Sequence, residues 1–548
     1  MNMVEIEIDG EKIKAEPGSS LLQVALDSGK PIPHFCYHKK LSITASCRMC
    51  LVEVDNTSKL VPACATPVTE GMVVHTDSEN VVSARKAVME FLLINHPLDC
   101  PVCDQGGECL LQDYSVGYGA SKARFEEEKR IVFVKNAGPL ISMQEMSRCI
   151  QCTRCVRFGE EIGGLMEFGM VNRGDREEIT TFLNKNVNSE LSGNMIDVCP
   201  VGALTSKPFR YKARGWELAS HRSVSPHDGL GSNMTVQTLR GQVMRVLPFE
   251  NEAVNECWLS DRDRFSYEAL DSRERLTVPM VKQDNRWIET DWETALNYVT
   301  HGLKSISRDH GAAALAALSS PQATLEELAL LQKLVRKMGS EKVEFRLRQS
   351  DFTMDGKILP WLGMKIEEID NLDQVLIIGS FLRSEVPLLA SRFRKAAING
   401  ARVSMLHAVD DDWLMPVENR LIGSPAKWLP MLGEIIAAVA IKKGMPVPDW
   451  LGNLPVTETA DRIAASLMDG GNSAIILGAV ALQHEEASAL HMAAEWLAGN
   501  TGAKFGVLTG GANTTGAYLA NAFPTPGSGE TLNGIASDSS KAFLLLQT

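Results

Sequence analysis

The stretch "SRCIQCTRCVRFGEEI", residues 147–162, carries Cys149, Cys152 and Cys155 at two-residue gaps, and a fourth cysteine, Cys199, stands in "DVCPVGAL". A C-x2-C-x2-C run answered by a remote Cys-Pro is a ligand order for [4Fe–4S] clusters, used in pairs so that each run lends its fourth cysteine to the other cluster. Here the run's own fourth position is Gly159, and the positions that would precede Cys199 in a second run are Ser189, Ser192 and Met195. All four ligands of one cluster are missing and all four of the other are present. Random loss of cysteines does not divide so cleanly. The spacing predicts a single [4Fe–4S] cluster on Cys149, Cys152, Cys155 and Cys199, with structural zinc as the competing reading.

Two more sets lie upstream. Cys36, Cys47, Cys50 and Cys64 follow a C-x10-C-x2-C-x13-C spacing, set among the strand-like "MVEIEIDG", the helix-like "SSLLQVALDSG" and the strand-like "CLVEVD" and "MVVHTDS". That order is that of a plant-type [2Fe–2S] ferredoxin, with a longer first gap; zinc is again the alternative. His34 and His38 flank Cys36 and read as polar loop residues, because that set already has four thiols. Between the two sets lies "NHPLDCPVCDQGGECLLQD", residues 95–113, with His96, Cys100, Cys103 and Cys109. The helical pattern of "SARKAVMEFLLINHPLDC" ends at His96–Pro97, and Gly106 and Gly107 read as loosening the loop. A [4Fe–4S] cluster with one imidazole ligand is the favoured reading, against zinc or a non-ligand histidine.

Of the 12 cysteines, eleven lie between Cys36 and Cys199, and only Cys257 lies in the remaining 349 residues. A length of 548 residues suggests about three to four domains. A net charge of −13 argues against a general nucleic-acid binder, which needs a basic face. No apolar run reaches the roughly 18 residues of a membrane span, so membrane association is expected only through partners. Neither a signal nor a transit peptide is visible at the N-terminus. The expected compartment is therefore the cytosol, where clustered cysteines mean metal or catalysis more often than disulfides.

The stretches "CYHKKLSITASCRMCLVEV", "HPLDCPVCDQGGECLLQD", "SRCIQCTRCVRFGEEI" and "DVCPVGALTSKPFRYKARGWEL" closely resemble the large iron–sulfur subunits of bacterial NADH:quinone oxidoreductase, respiratory complex I. The resemblance covers essentially the whole chain and is most specific over residues 1–218. It implies one [2Fe–2S] and two [4Fe–4S] clusters, the second with a histidine ligand; the lack of a metal-binding cysteine in the pterin-like domain and of a flavin motif leads to the expectation of no molybdenum and no flavin on this chain. It implies a flavin-bearing partner that oxidises NADH, other iron–sulfur and quinone-reducing subunits of the peripheral arm, and a place on the cytoplasmic side of the bacterial inner membrane. The expected organisation is a multidomain α+β front and an α/β back. The front comprises a ferredoxin-like β-grasp domain over 1–78, a cluster module with one histidine and three cysteines over 79–118 and a bacterial-ferredoxin-like domain over 139–217. A molybdopterin-oxidoreductase-like domain, without a metal site, follows over 218–548.

The back half supports that outline. "RERLTVPMVKQDNRWIETDWETALNYVTHGL" resembles the opening of the molybdopterin fold. "DQVLIIGSFLRSEVPLLASRFRKAAINGARVSML" reads as a βαβ unit, and "SAIILGAVAL" and "FGVLTGGANTTGAYLAN" read as strand–turn–helix. No GxGxxG follows these strands, so no dinucleotide site is expected; Gly510, Gly511 and Gly516 read as a plain turn rather than a remnant pterin loop. Some relatives carry a further cluster at C-x2-C-x3-C-x27-C, but those positions fall on Ser225, Asp228, Ser232 and Ser260, so none is expected here. Cys257 is out of register and reads as a lone buried thiol. "KAFLLLQT" reads as a closing strand, in a back domain that is short for the family or cut. The alternative function is an iron–sulfur subunit of an NAD-linked hydrogenase or formate dehydrogenase. Both need further metal-binding cysteines that the back half lacks. No nucleophile–base constellation is present, so any chemistry belongs to bound cofactors.

Overall fold

The computed structural model describes residues 3–348, 350–452, 454–525, 532–537 and 539–547. Two compact units emerge: Met1–His221 with Val236–Val246, and Arg222–Thr235 with Leu247–Thr548.

The first unit begins with the hairpin Val4–Ile8 and Glu11–Ala15. Asp9 and Gly10 both take positive φ, 51° and 83°, as a tight two-residue hairpin turn requires. Strand Val73–His75 adds to Val4–Ile8 in parallel, and Leu51–Val54 and Val61–Pro62 complete a five-stranded sheet. Alternation puts Ile6, Ile8, Val52, Val54 and Val74 on one face, where they bury Leu21, Leu22 and Ala25 of the helix Leu21–Asp27. The helix Glu79–Leu93 starts with Ser78 accepting from Val81 N. It ends at Leu93, three residues short of the expected His96–Pro97 boundary. The ring of Pro97 disfavours helical backbone at the residue before it. Farther along, the single helical turn Arg154–Arg157 carries Cys155, and the helix Asn194–Val198 delivers the chain to Cys199.

The second unit is built on a parallel sheet in the order 419–422, 402–407, 374–378, 473–477, 504–507. The central strands Gln374–Ile378 and Ser473–Leu477 are buried along their whole length, as parallel strands covered on both faces must be. The helix Pro387–Ile398 supplies the crossover in the βαβ segment. Trp428–Lys443, Glu458–Met468 and Ala487–Thr501 share one core with the strands. A second parallel sheet joins Val343–Glu344, Leu315–Ser319 and Ala542–Leu546, so the closing strand read from "KAFLLLQT" is present. "RERLTVPMVKQDNRWIETDWETALNYVTHGL" forms the hairpin Met280–Gln283 and Arg286–Glu289, then the helix Trp292–His310, whose cap Asp291 accepts from Thr294 N at 2.8 Å. No helix among the described residues is long and apolar enough to cross a membrane.

Ile475 is fully buried in the strand Ser473–Leu477 of this core. Ile475→Ala removes its methyl groups and leaves a cavity, and is expected to cost about 2–5 kcal/mol. Urea unfolding checks this; an unchanged midpoint would contradict the assigned core.

Candidate metal centres

The first cysteine set is gathered into one cluster of sulfurs. Cys36 interacts with both Cys47 and Cys64, and Cys64 also with Cys50, all through their thiols. The thiol hydrogen bonds from Cys47 and Cys64 push Cys36 toward ionisation, and the same contacts hold Cys47 and Cys64 protonated. The backbone N–H of Cys36 donates to Cys47 Sγ at 3.5 Å. Arg48, between Cys47 and Cys50, takes φ 56°, and Ala45 takes 51°. Left-handed residues alternating with ordinary ones turn successive N–H groups into one concavity, a form of backbone that binds anions and iron–sulfur groups. His38 is held down to about 4, by burial first and then by the charge of Arg154. His34 Nδ1 bonds the Ile32 carbonyl at 2.9 Å, in keeping with a polar loop residue.

The third set is also brought together. Cys149, Cys152, Cys155 and Cys199 line one apolar cavity of about 20 Å³, with Ile150, Ile179 and Leu204 among its walls. Burial pushes the Cys149 thiol up to about 12 and that of Cys152 to about 11, and it raises Cys155 and Cys199 as well. Gln151 and Thr153 take φ 49° and 58°, so this loop curls as the first does, and Gln151 N donates to Cys149 Sγ at 3.4 Å.

In the second set Cys103 and Cys109 are buried and Cys100 is exposed, and Cys109 senses the charges of both others. His96 is held down to about 4, by burial and then by Arg148 and Lys129, so its ring is neutral near pH 7. Its Nδ1 is buried without a hydrogen-bond partner. Buried polar atoms are rarely left so, and a bound metal would satisfy one. Gly107 takes φ 91°, a left-handed conformation that favours glycine. A Cβ on Gly106 would press on the Cys100 carbonyl at 2.8 Å, and one on Gly107 would run into the Trp216 ring. These glycines permit close packing.

The loop of the third set touches both others. Cys109 Sγ lies 3.8 Å from the Pro200 carbonyl, and a Cβ on Gly202 would run into Cys103 Sγ. Arg148, buried, pairs with Asp99 at 2.9 Å. Arg154 and Arg157, from the third set's helical turn, reach the first set's loop. These arginines were not singled out in the sequence, where they are three charges within a motif. Among the described residues no three or more His, Cys, Asp or Glu side chains converge as a single ion would need. An iron–sulfur cluster asks for something else: each ligand grips a different corner or one of two irons.

In the second unit the positions Ser225, Asp228, Ser232 and Ser260 are all buried. The Ser225 and Ser260 hydroxyls donate to the two oxygens of Asp263, at 2.6 and 2.8 Å. Asp228 accepts from Leu230 N at 3.1 Å and pairs with Arg262 at 3.2 Å. Burial, then the charge of Asp263, raises the Asp228 carboxyl to about 6. Cys257 is half-buried rather than buried, because it sits in the turn between Asn251 and the helix Asp261–Phe265. A cavity of about 310 Å³ lies beyond the C-terminal ends of strands 473–477 and 504–507, with Phe352, Ser488, His491 and Gly510 in its lining. Gly511 packs against Pro321, and Gly516 against Asn513.

Five sequence families match the chain. Residues 1–79 match "2Fe-2S iron-sulfur cluster binding domain", 85–124 "NADH-ubiquinone oxidoreductase-G iron-sulfur binding region" and 138–205 "NADH-quinone oxidoreductase subunit 3, ferredoxin-like domain". Residues 218–268 match "NADH-ubiquinone oxidoreductase NDSU1/NuoG-like, 4Fe-4S domain", and 275–548 match "Molybdopterin oxidoreductase". Iron–sulfur domains thus precede a molybdopterin oxidoreductase domain. The G subunit of NADH-quinone oxidoreductase from Rickettsia felis is 44% identical over 413 residues, 74% of this chain and 60% of that protein. The 78 kDa mitochondrial subunit of NADH-ubiquinone oxidoreductase from Candida albicans is 45% identical over 72% of this chain and 54% of its own length. The 75 kDa subunit from Reclinomonas americana is 42% identical over 73% and 59%. The matches span less than two thirds of these relatives' lengths. Among solved structures, an NAD+-reducing [NiFe]-hydrogenase in the H2-reduced state aligns with a TM-score of 0.34 and 27% identity, over 38% of this chain and 90% of the other.

Asp228 titrates higher in the fold than its ordinary 3.8. Its contribution to stability is therefore full when it is protonated in both states, and is lost as pH rises from 3.8 through about 6. Asp228→Asn is expected to flatten that loss. Urea midpoints from pH 4 to pH 7 for both proteins check it; parallel curves would contradict it.

Proposed function

The chain belongs to the molybdopterin oxidoreductase family and is a homologue of the G subunit of NADH-quinone oxidoreductase, and from that premise we propose that it is an electron-relay subunit of complex I. It takes electrons from a flavin-bearing, NADH-oxidising partner and passes them toward a quinone-reducing arm. It sits peripherally on the cytoplasmic side of a bacterial inner membrane, held there by its partners. The observation that carries the reading is the adjacency of three cysteine sets in one compact unit, the third touching both others.

In this reading Cys36, Cys47, Cys50 and Cys64 hold a [2Fe–2S] cluster in a β-grasp domain. His96, Cys100, Cys103 and Cys109 hold one [4Fe–4S] cluster, and Cys149, Cys152, Cys155 and Cys199 another. When bound, such clusters supply one-electron carriage with little movement of atoms. The residues around them do the rest. The apolar walls Ile150, Ile179 and Leu204 exclude water from the third set. The backbone N–H groups of Cys36 and Gln151 point at sulfur and favour its anionic form. Asp99 fixes Arg148 beside the second set. The back unit serves as a scaffold: residues 218–268 carry serine and aspartate where cluster ligands would stand, and no cluster forms there.

Two measurements test this. Reconstituted protein should hold about 10 iron atoms per chain; stoichiometric zinc, or roughly 14 irons, would contradict the assignment. His96→Ala should leave one [4Fe–4S] signal labile while the other two survive. His96→Cys should keep that cluster and lower its midpoint potential, because a thiolate adds negative charge where imidazole adds none. If EPR titration finds signal and midpoint unchanged in both variants, His96 is not a ligand.

A further inference from the structure

Arg154 and Arg157 are buried, with relative exposures of 5% and 6%. The Arg157 guanidinium donates from one nitrogen, Nη2, to two carbonyls, that of Cys36 at 2.7 Å and that of Cys152 at 3.0 Å. Its other terminal nitrogen donates to the Ser42 carbonyl, and its Nε to Thr153 Oγ1 at 3.3 Å. Arg154 donates to the Tyr37 carbonyl and, at 3.5 Å, to the Val198 carbonyl, each next to a cysteine of a different set. Its Nε has no partner. Both side chains thus bridge the loop of Cys36 and the loops of Cys152 and Cys199.

Neither arginine forms an ion pair among the described residues. Glu161, one turn beyond Arg157, accepts instead from Ser42 N at 2.8 Å and from Ser42 Oγ. A buried guanidinium without a counter-charge costs several kcal/mol, and it persists only where a compensating anion is near. The groups within electrostatic reach are His34, His38, Tyr114 and thiols, and only the thiols become anions on binding metal: Arg154 senses Cys152, Cys36 and Cys199, and Cys152 senses both arginines. Four thiolates around a [2Fe–2S] or [4Fe–4S] core leave a net negative charge. The missing counter-ion and the expected anion occupy the same place. Arg148, the buried arginine beside the second set, differs in having Asp99 as its partner.

We propose that Arg154 and Arg157 are positioning residues shared by the first and third cysteine sets, acting as the buried counter-ions of two all-cysteine clusters and raising the reduction potential of both. The inference rests on the ligand assignment of the proposed function. Adding an electron to either cluster increases its negative charge, so a fixed cation between them favours reduction of each. The same guanidinium forks hold the two loops in register, which fixes the gap an electron crosses. The second set, with its imidazole and its own Arg148–Asp99 pair, lies outside this arrangement.

The test is EPR-monitored redox titration of the assembled complex carrying Arg154→Gln, Arg157→Gln, Arg154→Lys or Arg157→Lys. The glutamine variants are expected to keep their iron, with the midpoints of the two all-cysteine clusters shifted to more negative values and that of the His96 cluster unmoved. The lysine variants, which restore charge without the planar fork, should return the midpoints most of the way to wild type. Unmoved midpoints in the glutamine variants overturn the inference, and so does an equal shift in all three clusters. If a glutamine variant loses iron, the lysine variant decides: near-native midpoints sustain the proposal, and loss of the same signals reduces the arginines to structural ties. Absence of the two all-cysteine signals from the wild-type complex would instead overturn the ligand assignment, and this inference with it.

Discussion

Crowded sulfur is the constraint on which the front of this molecule depends. Thiols packed together in apolar surroundings resist ionisation, as the raised Cys149, Cys152, Cys155 and Cys199 display. To bind metal they must nevertheless become thiolates, so positive charge or polarised N–H groups must be supplied nearby. The fold supplies both. Left-handed residues at Ala45, Arg48, Gln151 and Thr153 curl the loops so that N–H groups face inward. Three buried arginines, 148, 154 and 157, stand among the sets. Left-handed backbone at a non-glycine residue costs of order 1–3 kcal/mol, and such strain is kept where a site requires it.

The same constraint explains the close approaches between loops. Gly202, two residues after Pro200, lies against Cys103, where any side chain would collide with sulfur. Gly106 and Gly107 do the same service on the other side, under the Cys100 carbonyl and the Trp216 ring. Small residues at these contacts let the loops pack within van der Waals distance of one another.

Local pattern made much of this legible. The cysteine gaps separated three sets, because metal ligands must recur at spacings that one loop can present, while the fourth set's positions came from the pattern of relatives. Period-two alternation identified the strand Val4–Ile8, and the mainly apolar runs "QVLII" and "SAIIL" marked buried parallel strands. The arginine bridges were not legible: Arg157 and Cys36 are 121 positions apart, and no local periodicity records such a contact. The glycine pair was legible for its backbone freedom, which Gly107 uses at φ 91°, but the tight space beside both residues was not. Cys257 was expected in a core, yet it lies in a turn. Residues 79–82 joined the helix without being expected to, because Ser78 offered a cap that the apolar pattern does not reveal.

The segment 218–268 joins a cluster-domain sequence pattern to side chains of a different chemistry. It matches a 4Fe–4S domain family, and its four candidate positions are buried, but they present hydroxyls and a carboxylate instead of thiols. Buried hydroxyls cost free energy unless they are bonded. Ser225 and Ser260 meet that requirement by converging on one carboxylate, Asp263, and Asp228 does so through Leu230 N and Arg262. The fourth position differs: the Ser232 hydroxyl is buried without a hydrogen-bond partner. Burial first, and then the charge of Asp263, raises the Asp228 carboxyl to about 6. Sequence similarity therefore follows the path of the chain here, while the donor atoms decide what the path can hold.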